Sequence, residues 1–213
     1  MAGTVCDLTL EVVGVNMSDK MHKLQHISKF VISLALRDCR LSCASVPQLF
    51  KLIKSATKLK KVTLSGNNLH GLKSDRIPRI PSFEVLVLDD CKLTKDDIGP
   101  LFSIVAAAGS VTKLALYEND IHGIKGDKIT PVSSLKKLHL YACAIQSDDI
   151  GPLFTIVAAA GSITKLFLTK NYLHGIQGDE ITPVSSLTEL HLNACAIQSD
   201  DIRPLFSIVA AAG

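Results

Sequence analysis

Residues 135–145 read Leu135-Lys136-Lys137-Leu138-His139-Leu140-Tyr141-Ala142-Cys143-Ala144-Ile145, and the rest of the chain either repeats this stretch or joins two of its copies. It fits the pattern L-x-x-L-x-L-x-x-N/C-x-L. Leu138 and Leu140 are two residues apart, so in a strand they share one face, while Lys137, His139 and Tyr141 share the other. Cys143 and Ile145 then carry the chain off the strand and back toward the interior.

The pattern occurs eight times, opening at Val5, Val31, Leu59, Phe83, Val111, Leu135, Ile163 and Leu187. Its N/C position reads Val13, Cys39, Asn67, Cys91, Asn119, Cys143, Asn171 and Cys195. From Leu34 onward the spacing alternates between 28 and 24 residues, so the true unit is a pair of repeats 52 residues long. Eight matches in alternating register predict a solenoid with one parallel β-sheet.

The two kinds of repeat differ after the strand. Each cysteine is followed by a segment such as 147–161, where Ile150, Leu153, Phe154 and Val157 recur at helical spacing and Gly161 suits a C-terminus. This predicts an outer helix, with the Asp pair capping free amides and Pro152 in the first turn. Each asparagine is followed by a glycine-punctuated limb such as 173–183, which predicts a loop or single turn. A further helix is expected over 18–29.

The unbroken repeat predicts a single domain over 1–213, and the abrupt finish at Gly213 reads as an excerpt of a longer array. A net charge of +3 gives no basis for nucleic-acid binding. The apolar run 98–111 is shorter than the roughly 18 residues of a membrane span. With no leader ahead of Val5, a soluble cytoplasmic chain is expected.

Four of the six cysteines, Cys39, Cys91, Cys143 and Cys195, lie 52 residues apart. Strands about 4.8 Å apart place them about 10 Å from one another, beyond the roughly 7 Å a disulfide spans. They are expected to be buried, reduced thiols, which fits the cytosol. His22 and His26 have a metal-ligand spacing but lack a third ligand nearby in sequence, so no metal site and no cofactor are expected. His70, His122 and His174 follow the 52-residue period and read as scaffold. The pairs Asp96-Asp97, Asp148-Asp149 and Asp200-Asp201 read as helix caps. There is no nucleophile or phosphate-loop motif, so the chain is not expected to be an enzyme.

The repeats can be compared within the chain. Segments 96–110 and 148–162 agree at 14 of 15 positions, and limbs 121–135 and 173–187 at 12 of 15. At outward strand positions only 3 of 12 comparisons match, although copying alone would scatter the differences evenly. The surplus falls on the face opposite the helices, where aromatic anchors stand among polar residues as in protein-binding hot spots. The expected partner-binding patch is Lys113, Tyr117, Lys137, His139, Tyr141, Lys165, Phe167, Glu189 and His191. Lys113, Lys137 and Lys165 align on successive strands, which predicts an acidic patch on a protein partner.

With its Cys/Asn alternation and 28-residue helical unit, residues 5–213 resemble ribonuclease-inhibitor-type leucine-rich repeats. The resemblance implies an α/β curved horseshoe with the sheet on its concave face and helices and turns on the convex face. It implies a ligand-recognition module, as in the C-terminal sensor region of NOD-like receptors, which are intracellular innate immune proteins. The alternatives it carries are an enzyme inhibitor or a GTPase activator using an exposed arginine. Arg37, Arg40, Arg76 and Arg79 are the candidates, and none stands in a matching motif.

Overall fold

The computed structural model describes residues 8–24, 30–54, 56–76, 83–126, 129–177 and 181–210. Within them run eight parallel strands, paired in chain order. They are β1 Leu8–Val13, β2 Val31–Arg37, β3 Lys61–Thr63, β4 Val85–Val87, β5 Lys113–Ala115, β6 Lys137–His139, β7 Lys165–Phe167 and β8 Glu189–His191. Leu34 pairs with Val62, Val62 with Leu86, and Leu86, Leu114, Leu138, Leu166 and Leu190 continue one row across the sheet. Val5 lies outside the described residues.

Alternation along each strand separates two environments. Leu114, Leu116, Leu138, Leu140, Leu166 and Leu168 are each at most 2 % exposed and pack against the outer limbs. Fully burying one such leucine is worth roughly 1.5–3 kcal/mol, and each coil gains it only from its neighbours.

The outer limbs alternate as their sequences require. Helices α1 Val46–Ile53, α2 Lys95–Ala108, α3 Ile150–Ala160 and α4 Ser199–Ala210 follow the cysteine repeats. Ile98, Leu101, Phe102 and Val105 of α2 face the core, and α2 ends on Gly109 in the left-handed region. Among the described residues, the limbs after the asparagines carry only short turns, such as the 3₁₀ turn Ser74–Arg76. One expectation needs correcting. Residues Met21–Leu24 form a 3₁₀ turn instead of part of a long helix, and His26 lies outside the described residues. Pro152 is the third residue of α3, in the first turn as predicted, while Pro100 is the sixth residue of α2. Asp97 and Asp149 close the capping boxes at their own helix starts, as expected, and each also reaches back to the preceding repeat.

That reach is one of two alternating ties between coils. Asp97, 1 % exposed, accepts the Thr94 amide at 2.9 Å in its own repeat. It also accepts the Gly71 and Leu72 amides of the preceding repeat at 2.7 and 3.0 Å, and its Oδ2 lies 2.9 Å from His70 Nδ1. Asp149 holds Gly123 and His122 in the same way, and Asp201 holds Gly175, Ile176 and His174. The other tie is the asparagine. Asn119 Oδ1 accepts the Cys91 and Leu93 amides at 3.0 Å each, while Nδ2 donates to the Leu88 and Leu116 carbonyls. Where cysteine replaces asparagine, the thiol makes one weak bond to the preceding repeat, Cys143 Sγ to Leu116 O at 3.0 Å. Asparagine therefore ties each cysteine repeat to the repeat after it, and aspartate ties each asparagine repeat to the next.

Candidate functional site

The outward strand positions form rows across the sheet. Lys113 opens β5 and pairs in register with Lys137 of β6, then Lys165 of β7 and Glu189 of β8. Two residues on, Ala115, His139, Phe167 and His191 form the second row. Tyr117 and Tyr141 stand just past their strands. The fold thus brings all nine predicted site residues onto one continuous area, because each repeat contributes the same positions.

The second row is a stack of rings. His139 and Phe167 lie 4.0 Å apart between centroids at 18° between planes, and Phe167 and His191 lie 4.3 Å apart at 13°. Strand spacing of about 4.8 Å sets this distance. Tyr117 Oη lies 2.8 Å from His139 Nδ1, and the Tyr117 and Tyr141 rings meet at 5.5 Å. Lys170 Nζ sits 5.1 Å above the Tyr141 ring, a cation–π contact.

His139 departs from the sequence reading. It is only 9 % exposed, wedged between Phe167 and Tyr117, so it supports the surface instead of presenting itself to a partner. Its Nε2 is buried without a hydrogen-bond partner among the described residues. Desolvation by burial first, then the charges of Lys113, Lys137 and His191, push its pKa down to about 4. A period-2 pattern shows which side of the sheet a residue takes, and it carries no sign that a neighbouring strand supplies a ring to cover it.

The lysine row is partly committed. Lys165 pairs with Glu189, whose carboxyl this contact lowers. Among the described residues no carboxylate forms an ion pair with Lys113 or Lys137. On the strand-exit side stand Asp89, Asp90 and Glu118. Asp90 pairs with Lys92 at 2.6 Å, and Asp89 accepts the Tyr117 amide at 3.2 Å. Sequence reading did not single out these acids, because they belong to the site only through register with Tyr117.

The cysteines are as expected. Cys39, Cys91, Cys143 and Cys195 are free and buried, and desolvation raises Cys91 and Cys143 to about 12. One grouping has metal-ligand geometry: donor atoms of His122, Asp148 and Asp149 lie within 4.8 Å of one another. Both Asp149 oxygens already accept protein hydrogen bonds, from Gly123, Gln146 and His122, so this grouping reads as the inter-repeat tie. Of the arginines, Arg37 is paired with Glu11 at 2.8 Å, Arg40 is exposed, Arg76 ends a turn in an outer limb, and Arg79 lies outside the described residues. Among the described residues no helix is long and apolar enough to cross a membrane.

Stacked parallel strands, an Asn/Cys ladder and one outer limb per strand define a leucine-rich-repeat solenoid. Its relatives are of the ribonuclease-inhibitor and NOD-like-receptor kind. The chain is 28 % identical over 188 residues to the ribonuclease inhibitor of Sus scrofa, covering 77 % of this chain and 39 % of that one. It is 26 % identical over 202 residues to NACHT, LRR and PYD domains-containing protein 5 of Bos taurus, covering 87 % of this chain and 18 % of that one. Among solved structures it is similar to an internalin of Listeria monocytogenes, with a TM-score of 0.37 at 18 % identity over 90 % of this chain and 62 % of that one. No family model matches the chain. The chain spans less than half the length of either sequence relative.

Proposed function

We propose that this chain is a protein-recognition module that takes a protein ligand on the open face of its sheet. Its role is that of the sensor region of an intracellular receptor of the NOD-like kind, working in the cytoplasm by binding and not by catalysis. The observation that carries the reading is the half-exposed aromatic surface of Tyr117, Tyr141 and Phe167, backed by buried His139 and flanked by Lys113 and Lys137. Aromatic anchors on a rigid backing lose little conformational entropy when they bind, and they dominate interface energetics. The repeat scaffold fixes where they stand, while the exposed positions vary from coil to coil.

Affinity capture with the wild-type chain, run beside a Tyr141→Ala/Phe167→Ala variant, tests this. Partners retained by the wild type and lost by the variant are the expected result. Partners retained equally by both remove the open-face reading.

A second reading, enzyme inhibition, is favoured by one observation, the similarity to a ribonuclease inhibitor over 77 % of the chain. A ribonuclease activity assay with and without the chain tests it. Dose-dependent inhibition lost in the same double variant would make this the function.

A further inference from the structure

We infer that the open face accepts its protein ligand in one orientation, as a segment that brings an acidic side chain to Lys113 and Lys137, a basic side chain to Asp89 and Glu118, and an apolar or aromatic residue between them. This rests on the protein-binding reading above and goes beyond it by fixing the partner's charge order. The strand entrances are basic. Lys113 and Lys137 stand in register on adjacent strands, about 4.8 Å apart along the sheet. Neither has an ion-pair partner among the described residues, whereas Lys165 in the same row is committed to Glu189. Two lysines side by side on adjacent strands, with only the more distant Asp89 acting on Lys113, fit an incoming carboxylate.

The strand exits are acidic over the same coils. Arg37 is neutralised by Glu11 and Asp90 by Lys92, which leaves Asp89 and Glu118 without ion-pair partners among the described residues. Asp89 is half-buried beside Tyr117, and burial raises its carboxyl above the usual range despite the charges of Arg37 and Lys113, so a further cation in direct contact there is favoured. The molecule also shows how a cation sits on this side: Lys170 rests over the Tyr141 ring. Lys170 occupies the position in its repeat that Glu118 holds 52 residues earlier, and both are left-handed, at φ 59° and 57°.

From Lys113 to Tyr117 is four residues, about 13 Å at roughly 3.3 Å per residue. A ligand helix spans that distance in about nine residues and an extended ligand in about four. The reverse orientation sets lysine against cation and carboxylate against carboxylate, which costs binding energy.

A phage-displayed random-peptide library is the probe, selected on the wild-type chain. Binding of the enriched synthetic peptides is then measured by titration calorimetry, with circular dichroism to verify that each variant folds. Peptides carrying Asp or Glu and Lys or Arg in fixed order around an aromatic residue are expected. Each should bind about tenfold or more weakly to Lys113→Glu/Lys137→Glu. Adding Glu118→Lys, which installs the residue of the sister repeat, should restore binding for the peptide with acid and base exchanged. Peptides that need Tyr141 and Phe167 yet show no charge order, or no rescue on exchange, overturn the orientation alone. Peptides indifferent to Tyr141→Ala/Phe167→Ala overturn the open-face reading together with it.

Discussion

His139 and Phe167 pair in register on adjacent strands with their rings stacked at 4.0 Å, and that contact turns a histidine from a surface group into a buried support. The ring must stay neutral to remain there. Its folded pKa, pushed down to about 4, lies below the ordinary value near 6.5. The stability this contributes is present above pH 6.5 and is lost as pH falls from there toward 4, because the unfolded chain binds the proton first. His139→Phe should flatten the pH dependence of urea unfolding in that window. The His139 ring protons of the wild type should titrate near pH 4 by NMR.

Truncating Phe167 removes the middle of the three-ring stack and leaves His139 more open to water. Phe167→Ala should destabilise the chain by about 1–3 kcal/mol, from lost burial and ring contact together. It should also raise the His139 pKa back toward 6.5. Urea denaturation and an NMR titration of the variant check both, and an unchanged His139 titration would show that the stack is not what excludes water.

The two kinds of ladder residue should differ sharply when removed. Asn119→Ala strands the Cys91 and Leu93 amides and the Leu88 and Leu116 carbonyls in the interior. At roughly 1–3 kcal/mol for a buried group left unsatisfied, the cost should be about 3 kcal/mol or more. Cys143→Ala loses one weak S–H bond and a small volume, so about 1–2 kcal/mol is expected. Unfolding midpoints of the two variants, measured side by side, decide this.

The aspartate ties predict acid sensitivity with a defined sign. Burial alone raises the Asp97 carboxyl, but the bonds from Thr94, His70, Gly71 and Leu72 outweigh it and hold the pKa below the usual range. Asp201 is lowered by the same arrangement with Gln198, Gly175, His174 and Ile176. Stability from these groups is present above the unfolded pKa near 3.9 and is lost as pH falls through the lower folded values. Asp97→Asn should lower stability at pH 7 and reduce its further loss below pH 4, as read by thermal melts over pH 2–7.

Buried thiols raised to about 12 should be inert in the native chain. A maleimide pulse followed by peptide mass spectrometry should label half-exposed Cys43 well before Cys91 and Cys143. The latter two should react only in denaturant.

The amino-acid sequence by itself determined the solenoid. Leu138 and Leu140, two apart and recurring in every repeat, have one stable placement, inside a sheet built from like strands. Gly109 and Gly161 mark helix ends because the left-handed turn there suits glycine. The same alternation named the residues of the open face, since it assigns each to one side of the sheet. Tertiary structure decided what those residues do to one another. Whether His139 is exposed depends on Phe167, 28 residues away. That Asp97 ties the repeat before it as well as capping its own helix depends on amides 25 and 26 residues earlier. Charge balance followed the same rule: Lys165 is spent on Glu189 and Lys113 is not, because register across strands sets the pairs. Periodicity along the chain fixes direction, but burial and pairing are set by the neighbouring coil, which local sequence does not contain.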